Sequence, residues 1–234
     1  MAIARDGNAT PVRVPIGGQF LHGDLVIPCG SPGIVLFAHG SGSSRRSPRN
    51  QFVARMLERN GLATLLIDLL TSAEEYVDDR TAHYRFDLPM LATRLVTIVD
   101  WLRRQKETRM LTIGLFGAST GGGAALMAAA ERPNDIAAVV SRGGRPDLAG
   151  RTLTKVMAPT LLIVGGLDAT VIQMNRDAMR LMPGVVTLEI VPSATHLFEE
   201  PGTLERVAEL AADWFISSLR PVGRPQRETE REGA

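Results

Sequence analysis

Three residues have the types and the spacing that nucleophilic catalysis requires. Ser119 lies in GLFGASTGGGAAL, between an apolar run and an alanine-rich run, and fits the pattern G-x-S-x-G. Asp168 follows the apolar run PTLLIVGG, and His196 follows the apolar run VTLEIVP. In such a set the histidine removes the serine proton, while the acid orients the imidazole and stabilises its cation. The pattern predicts attack of Ser119 on a carbonyl carbon.

The glycines around Ser119 indicate a sharp turn from a strand into a helix. Gly117 and Gly121 stand two residues before and two residues after the serine, where small residues let the strand and the helix pass closely. We expect a strained backbone at Ser119 and a hydroxyl at the start of a helix, where developing negative charge is stabilised. A plain glycine-rich turn is the alternative. Gly122 and Gly123 are expected to allow close packing of the helix on the sheet.

The proposed base and acid have alternatives. Asp168 also has the position of an N-cap for the next helix. Asp147, in RGGRPDLAG, is the rival acid and ranks second because it lies several residues beyond the end of its strand. His22 lies within a predicted hairpin and is expected to be structural or exposed. His83, in the polar connection DDRTAHYRFD, is a candidate for contact with a substrate.

The loop after the first parallel strand, FAHGSGSS, is the candidate anion-stabilising element. We predict an oxyanion hole made by the backbone N–H groups of Ser41 and of Thr120, the residue after the nucleophile. His39 is predicted to brace this loop rather than to act as a base, and it is also a candidate for substrate contact.

Arginines border the same region. SSRRSPRN contains Arg45, Arg46 and Arg49, and Arg142 ends the apolar run IAAVVSR. Arg45, Arg46 and Arg142 are candidates for substrate binding, because a guanidinium group suits planar carboxylates. The alternative is that these side chains are solvated, or that they brace acids such as Asp68.

The elements that must position these residues alternate along the chain. VRVPI and FLHGDLVIP predict an N-terminal hairpin, and the rest alternates buried strands with amphipathic helices. This order predicts a mostly parallel sheet covered on both faces, with ligand sites beyond the C-terminal ends of the strands. Residues 1–219 are predicted to form a single domain. Residues 220–234 have almost no apolar side chains, which predicts a disordered tail.

The composition excludes several classes of function. In the 234 residues the net charge is +1, so no strong overall field would attract nucleic acid or anionic lipid. Cys29 is the single cysteine, which excludes an intramolecular disulfide. The N-terminal residues lack the apolar core of a signal peptide, and no apolar run approaches the roughly 20 residues that cross a bilayer. We therefore expect a cytoplasmic monomer or homodimer without membrane or nucleic-acid partners.

With these features in this order, the chain resembles the α/β-hydrolases, and more narrowly their dienelactone-hydrolase-like group. The resemblance covers roughly residues 12–219 and is carried by FAHGSGSSRRSPRN, GLFGASTGGGAAL, SRGGRPDLAG, APTLLIVGGLDATVI and ATHLFEEPG. It implies the α/β-hydrolase fold, a mostly parallel doubly wound sheet with an N-terminal antiparallel hairpin. It also implies that Ser119, Asp168 and His196 form a catalytic triad, and that the enzyme uses no cofactor and no metal.

Two features of the sequence refine the expected substrate. True dienelactone hydrolases carry cysteine where this chain has Ser119, so the resemblance favours general ester hydrolysis over lactone hydrolysis. No long insertion follows AAVVSRGG, so no large cap domain is expected, and the substrate is predicted to be a small or accessible acyl ester. The alternatives are an acyltransferase that uses the same triad and a low-turnover ligand-binding or receptor protein of the hydrolase fold.

Overall fold

The apolar runs of the sequence form eight strands of one sheet. The computed structural model describes residues 8–219 of the chain. The strands are β1 (Thr10–Ile16), β2 (Gln19–Val26), β3 (Gly33–Ala38), β4 (Ala63–Ile67), β5 (Thr112–Ala118), β6 (Ile136–Arg142), β7 (Thr160–Gly165) and β8 (Val186–Val191). Their order across the sheet is β1-β2-β4-β3-β5-β6-β7-β8. β3 leads into the loop that contains Ser41, and β5 leads into the turn at Ser119. These two strands are neighbours at the centre of the sheet.

The sheet is parallel except at one edge. β1 and β2 form an antiparallel hairpin, β2 pairs antiparallel with β4, and the remaining neighbours are parallel. The predicted mostly parallel sheet with an N-terminal antiparallel hairpin is therefore confirmed. β1 is an edge strand and contains Pro11 and Pro15. Proline has no backbone N–H group, so it suits an edge strand, which needs hydrogen bonds to a neighbour on one side only.

Helices cover both faces of the sheet. They are α1 (Pro48–Arg59), α2 (Ser72–Thr81), α3 (Leu88–Arg104), α4 (Thr120–Glu131), α5 (Ala169–Met179) and α6 (Thr203–Ser218), with a kinked 3-10 helix at Pro146–Lys155. α1 and α6 pack together over one face, and their buried side chains form one apolar cluster with that face. α3, α4 and the 3-10 helix form the second cluster on the other face. Trp101 packs against this second cluster, and Trp214 packs against the α1/α6 cluster.

One helix of the structure, α2, was not predicted from the sequence. The polar segment after β4 contains α2, which begins with a capping box between Thr71 and Glu74.

After β6 the chain forms only the short 3-10 helix, so the expected absence of a large cap holds for the described residues. The predicted disordered tail, residues 220–234, lies outside the described part of the chain. No helix between residues 8 and 219 is long and apolar enough to cross a bilayer.

Candidate active site

Ser119 occupies the turn between β5 and α4 in a conformation that few side chains adopt. Its φ is +51° and its ψ is −122°. The turn is closed by glycines, because a Cβ at Gly117 would lie 2.5 Å from the oxygen of Gly121. A Cβ at Gly121 would overlap the carbonyl oxygen of Ala38 and lie 2.6 Å from that of His39. The glycine positions and the strained serine are as the sequence predicts.

Ser119, His196 and Asp168 form a continuous chain of hydrogen bonds. The imidazole Nε2 lies 3.3 Å from Ser119 Oγ, and Nδ1 lies 2.7 Å from Asp168 Oδ2. Asp168 occupies the N-cap position of α5, but its side chain makes no capping bond. The carboxylate of Asp147 instead accepts hydrogen bonds from Arg145 at 2.9 and 2.8 Å. The structure thus brings Asp168, and not Asp147, to the imidazole.

The loop that carries His196 is fixed by contacts on both sides. The backbone N–H of Thr195 donates to Glu200 at 3.0 Å, and the hydrogen bonds from Thr195 lower the pKa of that carboxyl. Beneath the loop, a Cβ at Gly143 would lie 3.1 Å from the carbonyl oxygen of His196. Phe198 is fully buried and holds a φ of +57°. These contacts position the backbone on both sides of His196, whose imidazole reaches Ser119.

The two predicted oxyanion donors lie beside Ser119, but one of them already has a partner. The Thr120 N–H is at the first position of α4, where no intrahelical acceptor exists. The Ser41 N–H donates to Thr120 Oγ1 at 2.8 Å. In this structure the Ser41 N–H is therefore engaged, and its role as an oxyanion donor stays a prediction. The threonine hydroxyl holds this N–H close to the nucleophile, and it must yield before Ser41 can bind an oxyanion.

His39 braces the loop between β3 and α1. Its Nε2 accepts a hydrogen bond from the backbone N–H of Leu69 at 3.0 Å, and its Nδ1 lies 3.0 Å from the carbonyl oxygen of Gly40. Burial lowers the pKa of His39, although the bond to Gly40 opposes this effect. A neutral ring with Nδ1 as donor and Nε2 as acceptor fits both contacts. The ring faces a cavity of about 250 Å³ between this loop and α2.

Three candidates for substrate contact lie elsewhere. Arg45 binds the carboxylates of Asp68 and Asp24, which agrees with the alternative that these arginines brace nearby acids. Arg46 is exposed beside this ion pair and lines a different surface cavity. His83 is exposed, and its ring lies edge-on against Tyr84. The structure brings neither Arg46 nor His83 to Ser119.

Arg142 is the remaining arginine candidate, and it lies beside the nucleophile. Its carbonyl oxygen accepts a hydrogen bond from the Ser119 N–H at 3.1 Å, and its residue exposure is 8%. Burial, and then the nearby positive charge of Arg49, lower the pKa of Arg142 to about 10. Arg49 was not among the residues predicted from the sequence to bind substrate. Its position in the first turn of a helix that follows the oxyanion loop was the available signal.

Among residues 8–219, no group of three or more His, Cys, Asp or Glu side chains has an arrangement that could hold a metal ion. The reactive groups that the structure places together are the hydroxyl of Ser119, the imidazole of His196 and the carboxylate of Asp168. Activated in this way, a serine can form a covalent acyl intermediate.

Comparison with known proteins gives the same class. Residues 31–213 match the model of the alpha/beta hydrolase domain, and the chain belongs to that family. A crystal structure of a dienelactone hydrolase from Anabaena variabilis is 60% identical and superimposes with a TM-score of 0.90, covering 91% of this chain and 99% of that one. The chain is thus an α/β-hydrolase of the dienelactone-hydrolase-like group.

Two curated relatives carry other names. A protein of Mycobacterium tuberculosis, provisionally named a phosphoribosyl transferase, is 55% identical over 208 residues, which is 89% of this chain and 46% of that protein. Human monoglyceride lipase is 29% identical over 182 residues, which is 71% of this chain and 56% of the lipase. The chain thus spans about half the length of the curated relatives that it matches.

Proposed function

We propose that the protein is a serine hydrolase that cleaves small or accessible carboxylic esters through an acyl-enzyme. The observation that carries this proposal is the hydrogen-bonded chain from Ser119 through His196 to Asp168, at the C-terminal ends of three strands. Family membership and the dienelactone hydrolase neighbour support hydrolase activity.

The mechanism follows from the positions of the three side chains. His196 Nε2 takes the proton of Ser119 as its oxygen attacks the ester carbonyl, and Asp168 stabilises the imidazolium. The Thr120 N–H stabilises the tetrahedral oxyanion, joined by the Ser41 N–H once it leaves the threonine hydroxyl. His196 then protonates the leaving alcohol, and water repeats the sequence on the acyl-enzyme.

The surroundings of the triad suit a substrate with an accessible ester group. Leu167 precedes Asp168 and Leu197 follows His196, and both leucines are exposed. They offer apolar contacts for an acyl or alkyl group at the rim. Between β6 and β7 the chain forms only the 3-10 helix, and no large cap covers this side of the site within residues 8–219.

The test is hydrolysis of p-nitrophenyl acetate and butyrate, together with labelling by a fluorophosphonate. We expect wild type to turn over both esters, and we expect Ser119→Ala to lose about 10⁶-fold in kcat and to resist labelling. Asp168→Asn should lower kcat by about 10⁴-fold, because the imidazole loses its orientation. Asp147→Asn is the matched control and should keep wild-type kcat.

Three outcomes would contradict the proposal. They are no hydrolysis across a panel of short esters, a fluorophosphonate adduct at a residue other than Ser119, and full activity in Ser119→Ala. Adding an alcohol or amine acceptor and analysing the products distinguishes hydrolysis from acyl transfer. The phosphoribosyl transferase name of the mycobacterial relative applies to a protein of which more than half lies outside the match.

A further inference from the structure

Arg142 is a buried cation without a counterion. Its Nη1 is buried and has no hydrogen-bond partner, and within residues 8–219 no carboxylate or carbonyl oxygen accepts a bond from its guanidinium group. Arg94, with an exposure of 6%, shows how this protein normally holds a buried arginine. It binds the carboxylate of Glu74 and donates to the carbonyl oxygen of Leu69 at 2.8 Å. An unpaired buried charge is costly, so the contrast requires an explanation.

The direction of the Arg142 side chain follows from the alternation along β6. Ser141 Oγ faces α4, since a Cβ at Gly122 would lie 2.5 Å from it. Arg142 therefore points to the opposite face, where Val140 belongs to the α1/α6 cluster. Arg49, in the first turn of α1, lies on this same face.

The same location adjoins the loop that carries the imidazole. Arg49 Nη1 lies 3.0 Å from Glu199 Oε1, three residues after His196, and Arg49 Nε is buried without a partner. Gly143, the residue after Arg142, packs against His196 itself. The two guanidinium groups therefore lie between α1, the end of β6 and the histidine loop.

The local charges do not balance. Glu199 is bonded to Arg49 and not to Arg142, and its side chain is 62% exposed. Two further carboxylates lie on or against the histidine loop and are engaged, since Glu200 accepts from Thr195 and Asp168 binds the imidazole. The first turn of α1 contains no acidic residue, and the helix N-terminus adds positive potential. The two guanidinium groups therefore carry an excess of positive charge that one more anion would neutralise.

We propose that Arg142 and Arg49 form an anion-binding subsite next to Ser119, and that it holds a carboxylate or phosphate group of the substrate. A guanidinium group binds either oxyanion through two parallel N–H···O bonds. The inference rests on the proposed function and narrows it to esters that carry an anionic group within a few bonds of the ester carbonyl.

Binding is tested without turnover, in the Ser119→Ala protein, by calorimetry and thermal unfolding with glutarate and with inorganic phosphate at constant ionic strength. We expect saturable binding and a raised Tm with at least one of them, and at least about 10-fold weaker binding after adding Arg142→Met. Arg180→Met removes an exposed arginine paired with Asp177 and should leave binding unchanged. A response to glutarate alone assigns a carboxylate, and a response to phosphate alone assigns a phosphate.

The ligand-free variants give a second readout whose sign separates a binding role from a structural one. Because the charge of Arg142 is unpaired, Arg142→Met should have a higher Tm than its parent when no anion is present. A lower Tm together with unchanged anion binding would overturn the subsite, as would the absence of binding by both anions. If Arg142→Met does not fold, Arg49→Met supplies the second variant, with the same expected loss of anion binding.

A comparison of kcat/KM for anionic and neutral esters then tests whether the subsite selects the substrate. Wild type should prefer monomethyl glutarate to methyl pentanoate, or an acetylated glycerol phosphate to monoacetylglycerol, by at least about 10-fold in kcat/KM. Arg142→Met should bring this ratio close to one. If wild type hydrolyses neither these esters nor the p-nitrophenyl esters, the proposed function fails, and the binding measurements on Ser119→Ala still decide the subsite. Equal kcat/KM for the anionic and neutral esters in wild type would exclude the subsite from substrate selection.

Discussion

Ser119, the proposed nucleophile, has a strained backbone. Its φ of +51° lies in the region that favours glycine, so any side chain there costs stability. Ser119→Gly and Ser119→Ala both remove the hydroxyl, but only glycine relieves the strain. We expect Ser119→Gly to exceed Ser119→Ala by about 1 kcal/mol in the free energy of unfolding, measured by urea denaturation.

Ser217 provides the control for that comparison, since it is exposed and lies within α6. There the order should reverse, with Ser217→Ala more stable than Ser217→Gly by less than about 1 kcal/mol, because glycine disfavours a helix but Ser217 lies in its last turn. If Ser119→Gly is the less stable variant at position 119, the turn is not strained as the φ value indicates.

Some residue-level features could be predicted from the sequence and others could not. Ser119, Asp168 and His196 each follow an apolar run, so their convergence at one edge of a parallel sheet was predictable. The bond from Ser41 to Thr120 was not, because 79 residues separate the partners and a hydroxyl can serve as donor or acceptor. The pairing of Arg45 with Asp68 was foreseen only as an alternative, since sequence does not show which arginine reaches which acid.

At the level of elements, the crossing of β5 and α4 over the end of β3 depends on the absence of one Cβ. Gly121→Ala would force that atom into the carbonyl oxygens of Ala38 and His39, which are backbone atoms that cannot turn aside. We expect a loss of about 3 kcal/mol in the free energy of unfolding, measured by chemical denaturation, as for an overpacked core position.

Gly61→Ala separates this steric effect from the general cost of replacing glycine. Gly61 has a φ of +80°, and nothing lies within 4 Å of the position of its Cβ. Its substitution should cost only about 1 kcal/mol, from the left-handed conformation. Equal losses at both positions would show that the crossing of strand and helix tolerates the methyl group.

Predictability at this level follows the strength of the periodic signal. The strands and the five longer helices have continuous apolar runs or apolar residues at helical spacing, and the sequence identifies them. α2 has one buried residue, Asp78, whose carboxylate accepts bonds from the backbone of Tyr84 and Arg85. Its hydrophobic pattern is absent, and the capping box of Thr71 and Glu74 was the remaining signal for it.

At the level of the whole molecule, the two apolar clusters lie on opposite faces of one sheet, and each contains one tryptophan. Trp101 reports on the face of α3 and α4, and Trp214 reports on the face of α1 and α6. Because both clusters share the same strands, we expect them to unfold together. Urea unfolding of Trp101→Phe and Trp214→Phe, followed by fluorescence, should give transitions that coincide with the loss of far-UV circular dichroism in each variant.

A fluorescence transition that precedes the loss of secondary structure in one variant would mean that this face opens independently. The single domain predicted for residues 1–219 would then consist of two cooperative units rather than one. Wild type, which contains both tryptophans, serves as the reference for the stability change that each substitution itself causes.

The edge strand β1 has a consequence for the behaviour of the protein at high concentration. Pro11, Arg13 and Pro15 are every second residue of β1, so their backbone groups point to the same side of the strand. The two prolines have no N–H group to donate to β2, so this side is the one that faces away from the sheet. A strand from another molecule would find one N–H group where an ordinary edge offers three, next to the charge of Arg13. The hairpin thereby closes the sheet and also discourages the edge-to-edge stacking that leads to aggregates.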